Sequence, residues 1–125
     1  MSASTLFALL AAGIPLGGVA DTPIDPLSKA YWRLLDERRC AILHFSKDSL
    51  AVFSELDRID AILLKAGESG LTKHLIDAAA KWREHDAVAG KICDFQTPGW
   101  RGRAVESLRK ANDALESAVR SSAKG

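Results

Sequence analysis

The chain has 125 residues, enough for one domain. Its 17 Lys and Arg stand against 16 Asp and Glu, a formal net charge of +1. No long-range field therefore draws it to nucleic acid or to an anionic membrane, and no nucleic-acid partner is expected. With 47% hydrophobic and 26% charged residues, the composition excludes a disordered chain and leaves a modest core to bury.

Residues 1–20 carry no charged side chain. The run from Leu6 to Ile14 has the length of a signal-peptide h-region and is too short for a comfortable membrane span. Gly18-Val19-Ala20 places small residues where a signal peptidase reads. Cleavage after Ala20 would give a periplasmic or secreted domain of residues 21–125, with no stable membrane span. Met1 to Thr5 lacks the usual basic residues. A start upstream of Met1, making it an internal residue of a twin-arginine leader, would supply them. Two readings compete with export: an N-terminal segment on a cytoplasmic protein, and a retained anchor. Gly13, Pro15, Gly17 and Gly18 oppose a docked helix.

Asp25-Pro26 reads as a helix start, with a capping side chain followed by proline at the first helical position. No Gly or Pro follows until Gly67, so a single helix is expected over about 26–66, roughly 60 Å long. Leu27, Tyr31, Leu34, Arg38, Ala41 and Phe45 form its first stripe. Ser49, Val52, Leu56, Ile59 and Leu63 form the second, after a stutter that relaxes a supercoil. Gly67-Glu68-Ser69-Gly70 reads as a helix–helix turn. A second helix is expected over about 71–94, with Gly90 inside it at some cost in stability. Thr97-Pro98-Gly99 reads as the entry to a third helix, with Thr97 as cap, running over about 98–120 before the end frays. In that helix Val105, Leu108, Asn112, Leu115 and Val119 are one stripe. The fold class expected is all-α: a long antiparallel helical hairpin plus a third helix.

In such a hairpin, residues whose numbers sum to about 137 face each other, so Trp82 should meet Phe53 and Leu56. Helix two then ends before the level of Leu27, Tyr31, Trp32, Leu34 and Leu35. That face must be covered by helix three, by a second copy or by another protein, which makes it the candidate interaction face. Cys40 and Cys93 are the only cysteines, about one turn out of register in this hairpin. Two readings stay open: a disulfide in an exported chain, or two buried thiols.

No catalytic, cofactor-binding or metal site is expected. His44 and Asp48, and His74 and Asp77, are helical pairs, and His85 adjoins Glu84 and Asp86. A di-metal bundle site needs Glu-x-x-His on two helices with further inward Glu, which is absent from the chain. No Ser lies in a nucleophile elbow and no Gly-rich phosphate loop follows a strand. A ligand binder or enzyme would require a buried polar cluster among Arg38, His44, Asp48, His85 and Asp86.

Asp25-Pro26-Leu27 opening a long helix, and Thr97-Pro98-Gly99-Trp100 leading to Ser107-Leu108-Arg109-Lys110-Ala111, carry a resemblance. The chain resembles a diffuse group of short helical proteins of alphaproteobacterial genomes, often bearing a leader. The resemblance implies the helical architecture and no activity, cofactor or site residue. The function expected is that of an exported helical protein with a structural or protein–protein interaction role, acting on a protein partner or as a homodimer. The alternatives are a cytoplasmic accessory protein of phage or mobile-element origin, and a small helical ligand binder or enzyme.

Overall fold

The computed structural model describes residues 24–44, 50–94 and 96–124, and among these it contains four α-helices and no strand. They are α1 (Pro26–His44), α2 (Leu50–Glu68), α3 (Thr72–Ala89) and α4 (Trp100–Lys124). The protein is all-α, as its periodicity indicates. The expected leader at 1–20 lies outside the described residues.

The start of α1 is built as its sequence suggests. The Ser28 amide donates to Asp25 Oδ1 at 2.9 Å, satisfying one of the free donors of the first turn. Pro26 sits where a missing N–H costs nothing. The end of α2 is equally legible. The Leu71 amide donates to the Ala66 carbonyl at 2.9 Å, and the Gly70 amide to that of Gly67 at 3.0 Å. This is a Schellman cap, and it requires the positive φ of 77° that Gly70 supplies.

Three helix ends differ from expectation. First, α3 stops at Ala89 rather than near Asp94, because Gly90 leaves the helix in an extended conformation (φ −65°, ψ 155°). Second, Thr97 does not cap α4. Its carbonyl accepts from the Trp100 amide at 3.1 Å, closing a type II turn over Pro98 and Gly99, where Gly99 takes φ 81°. The helix begins only at Trp100. Third, α4 does not fray at Arg120 but continues to Lys124.

The largest correction concerns the expected 26–66 helix. Residues 45–49 lie outside the described residues, and the helices on either side run in opposite directions. On α1, Leu27 and Ala30 share a groove with Ala118 and Ser121, while Cys40 shares another with Ala104 and Ser107, so α1 and α4 are antiparallel. Glu55 of α2 meets Asn112, and Arg58 meets Asp113 and Glu116, so α2 runs with α4. One straight rod cannot do both.

The result is an up-down-up-down set of helices in which α4 packs mainly on α1 and next on α2, while α3 packs on α1. Leu108, Ala111 and Leu115 of α4 are fully buried against Leu27, Leu34, Val52, Ile59 and Ile62. The turn at Gly67–Gly70 makes α2 and α3 antiparallel, but little of one covers the other.

Candidate functional site

Helix α3 lies along α1 through a ladder of polar contacts. His74 Nε2 is 3.1 Å from Ser28 Oγ, the Trp32 indole donates to the Ala78 carbonyl at 2.8 Å, and the Trp82 indole donates to Asp36 Oδ1 at 2.9 Å. Each pair is separated by 46 residues, and a constant separation means parallel helices. Trp82 therefore faces α1, which corrects the expected register against Phe53 and Leu56. Burying two indoles with their N–H groups satisfied accounts for aromatic residues at a seam otherwise poor in large apolar side chains.

The expected interaction face is closed by the chain itself. Leu27 and Leu34 are buried in the core, and Tyr31 packs against it. Trp32 is half-buried, its ring 5.3 Å from that of His85, and Leu35 is half-buried. The reason is the reversal after His44, which brings α4 across this stripe and leaves α3 beside it.

A disulfide joins Cys40 of α1 to Cys93, just after α3, with Cα atoms 5.6 Å apart. Charged groups flanking it are matched. Arg39 Nε lies 3.3 Å from Asp86 Oδ1 in an ion pair without hydrogen-bond alignment. Arg39 also donates through Nη2 to the Lys91 carbonyl, and the Lys91 ammonium pairs with Glu37. After it, Asp94 Oδ1 accepts from the Gln96 and Thr97 amides and the Thr97 hydroxyl, and these bonds hold its carboxyl below the ordinary carboxylate range.

Six of the exposed large apolar side chains stand at this end of the molecule, while Leu64 and Ile76 are exposed near the turn at the other end. Ile42 and Leu43 end α1, and Leu50 and Phe53 begin α2, only five residues further along. Val88 at the end of α3 and Ile92 just beyond it stand at the same end, since α1 and α3 run parallel. All six are exposed, Leu43 at 62% and Leu50 at 80%.

At the opposite end, Asp25, Ser28 and His74 meet. Ser28 Oγ donates to Asp25 Oδ2 at 2.9 Å, and His74 Nε2 lies 2.9 Å from Asp25 Oδ1. Burial pushes the Asp25 carboxyl up, but the Ser28 amide and hydroxyl and His74 outweigh it, and its pKa falls from 3.8 to about 2. A nucleophilic triad needs serine and carboxylate on different ring nitrogens. Here both lie against Nε2. The cluster is a helix cap tied to a neighbouring helix.

Among the described residues, the other paired residues take separate partners. Asp77 pairs with Lys73 rather than His74, and Arg38 is exposed away from the Arg39–Asp86 pair. The His44 side chain and Asp48 lie outside the described residues. Among the described residues no three His, Cys, Asp or Glu gather as a metal site, and no helix is long and apolar enough to cross a membrane.

Helix α4 carries one buried polar residue that the stripe contained without explaining. Asn112 is fully buried and donates to the carbonyl and to Oε1 of Glu55, both at 3.0 Å. Beside it Arg58 bridges Glu55, Asp113 and Glu116, and the Asp113 bond foremost raises the Arg58 pKa. Sequence reasoning missed Asp36, Glu37 and Arg39, the last being the partner of Asp86. Ser28, Trp32 and Asp36 step by four on α1, as do His74, Ala78 and Trp82 on α3, but neither step names its partner on the other helix.

No protein-family model, curated protein or solved structure matches this chain.

Proposed function

We propose that this chain is an exported, disulfide-clamped helical module that self-associates through the apolar end around Ile42, Leu43, Leu50 and Phe53. The observation that carries it is the gathering of six exposed apolar side chains at one end of the bundle, beside the paired charges Arg39–Asp86 and Lys91–Glu37. A single apolar patch facing itself across a two-fold axis buries both copies. Export rests on the uncharged N-terminal twenty residues together with a cysteine pair, since structural disulfides belong to oxidising compartments. A small domain gains stability from such a bridge that its core alone does not supply.

Light scattering on the purified chain tests the association. The expected result is a dimer that becomes a monomer, with helicity unchanged, in the Leu43→Glu, Leu50→Glu double variant. A wild-type monomer at high micromolar concentration would overturn it. Intact mass of the non-reduced protein from its host tests export. The expected species starts at Asp21 and is two daltons lighter than its reduced form; an uncleaved chain with free thiols overturns the reading.

A further inference from the structure

Because α2 packs chiefly on α4 and α3 chiefly on α1, a cleft opens where the two leave their shared turn. It measures about 210 Å³ and is lined by Tyr31, Leu63, Thr72, Leu75, Ile76, Ala79 and Arg83. Its walls are apolar along Leu63, Leu75, Ile76 and Ala79, and Arg83 stands at one margin. Arg38 lies two turns along α1 from Tyr31 and, like Arg83, is exposed. Among the described residues neither guanidinium has a hydrogen-bond or ion-pair partner, and neither does the Tyr31 hydroxyl. Arg39, Arg58 and Arg109, by contrast, each sit on a carboxylate. Burial raises the Tyr31 pKa above its ordinary 10.0, against the opposing pull of Arg38 and Arg83, so at neutral pH the phenol keeps its proton and can donate.

We propose that this cleft binds a single-chain anionic amphiphile, its carboxylate held by Arg83 and the Tyr31 hydroxyl and its alkyl chain laid along Leu63, Leu75, Ile76 and Ala79. Guanidinium forks match a carboxylate in shape as well as charge. The size selects a narrow chain: sites for drug-sized ligands run to roughly 300–1,000 Å³, above the 210 Å³ here. The uncharged residues 1–20 offer no carboxylate and do not complement Arg83. This inference is independent of self-association, which uses other residues.

Dodecanoate, kept below its micellar range, is titrated into the full disulfide-bonded chain by calorimetry. Saturable binding at one site is expected. Arg83→Gln should weaken it by about tenfold or more, the worth of one charge-assisted hydrogen bond. Ala79→Trp, which fills the cleft, should abolish it. Arg83 is exposed, so Arg83→Gln keeps the test decisive if Ala79→Trp does not fold. The neutral analogue 1-dodecanol should bind about tenfold more weakly. Absence of saturable binding overturns the proposal, as does equal binding by the alcohol or by folded Arg83→Gln. So does an Arg83→Gln variant that changes only the mass in light scattering, which would mean that a second copy covers the cleft.

Discussion

Helices α3 and α4 are held to the same partner, α1, by different physics. On α4, Leu108, Ala111, Asn112 and Leu115 are fully buried, and the helix spans the centre of the core. On α3 only Leu75 and Ala78 are buried. Its attachment is instead a row of directed contacts: His74 to Asp25, Trp32 to the Ala78 carbonyl, Trp82 to Asp36, Asp86 to Arg39 and the disulfide at the end. Apolar burial is non-directional and scales with area. Directed contacts give little net stability each but fix one register, because a shifted helix would leave buried polar groups unpaired. The chain thus uses α4 for stability and α3 for geometry.

Removing the disulfide should strike this contrast hardest. Cys40→Ser with Cys93→Ser opens a loop with a sequence separation of 53, and the chain-entropy relation gives a loss of about 4 kcal/mol. Hydrogen exchange should rise over α3 well before α4. If all four helices lose protection together, the two helices do not differ in the way described. Leu115→Ala should cost about 3 kcal/mol by urea unfolding, as a cavity at a fully buried site does. Here protection should fall evenly across the bundle. Trp82→Phe keeps the ring and removes the bond to Asp36, so it should cost about 1 kcal/mol, with faster exchange confined to α3.

The smallest effect is the pH dependence of the cap. The folded Asp25 pKa of about 2 lies below the unfolded 3.8, so its contribution is present above pH 3.8 and is lost as pH falls toward 2. The side chain is 46% exposed, and solvent screening reduces the effect to about 1 kcal/mol or less. Asp25→Asn should remove that part of the acid sensitivity, measured as unfolding midpoint against pH.

What the amino-acid pattern revealed follows the same divide. The α4 stripe, the Asp25-Pro26 start and the Gly67–Gly70 turn were all readable, because apolar spacing, caps and glycine conformations are local signals. The ladder between α1 and α3 was not, since its partners are polar or backbone groups 46 residues apart. The reversal between His44 and Leu50 escaped because helix periodicity resumes on its far side with no glycine or proline to mark it. Of the three coverings expected for the face at Leu27–Leu35, the structure shows the first: the last helix, α4, packs over it, with α3 alongside. The apolar end was hidden for the opposite reason: Leu43, Leu50 and Val88 fall off every stripe, and single off-stripe apolar residues carry no pattern.

The bridge between Cys40 and Cys93 has a topological corollary. It closes a covalent ring that contains all of α2 and α3, while α4 and most of α1 hang outside it. A protease cut anywhere between His44 and Leu50 would therefore sever the backbone without releasing a fragment. On a non-reducing gel the nicked chain would migrate as one species, and only a thiol reagent would part it into two.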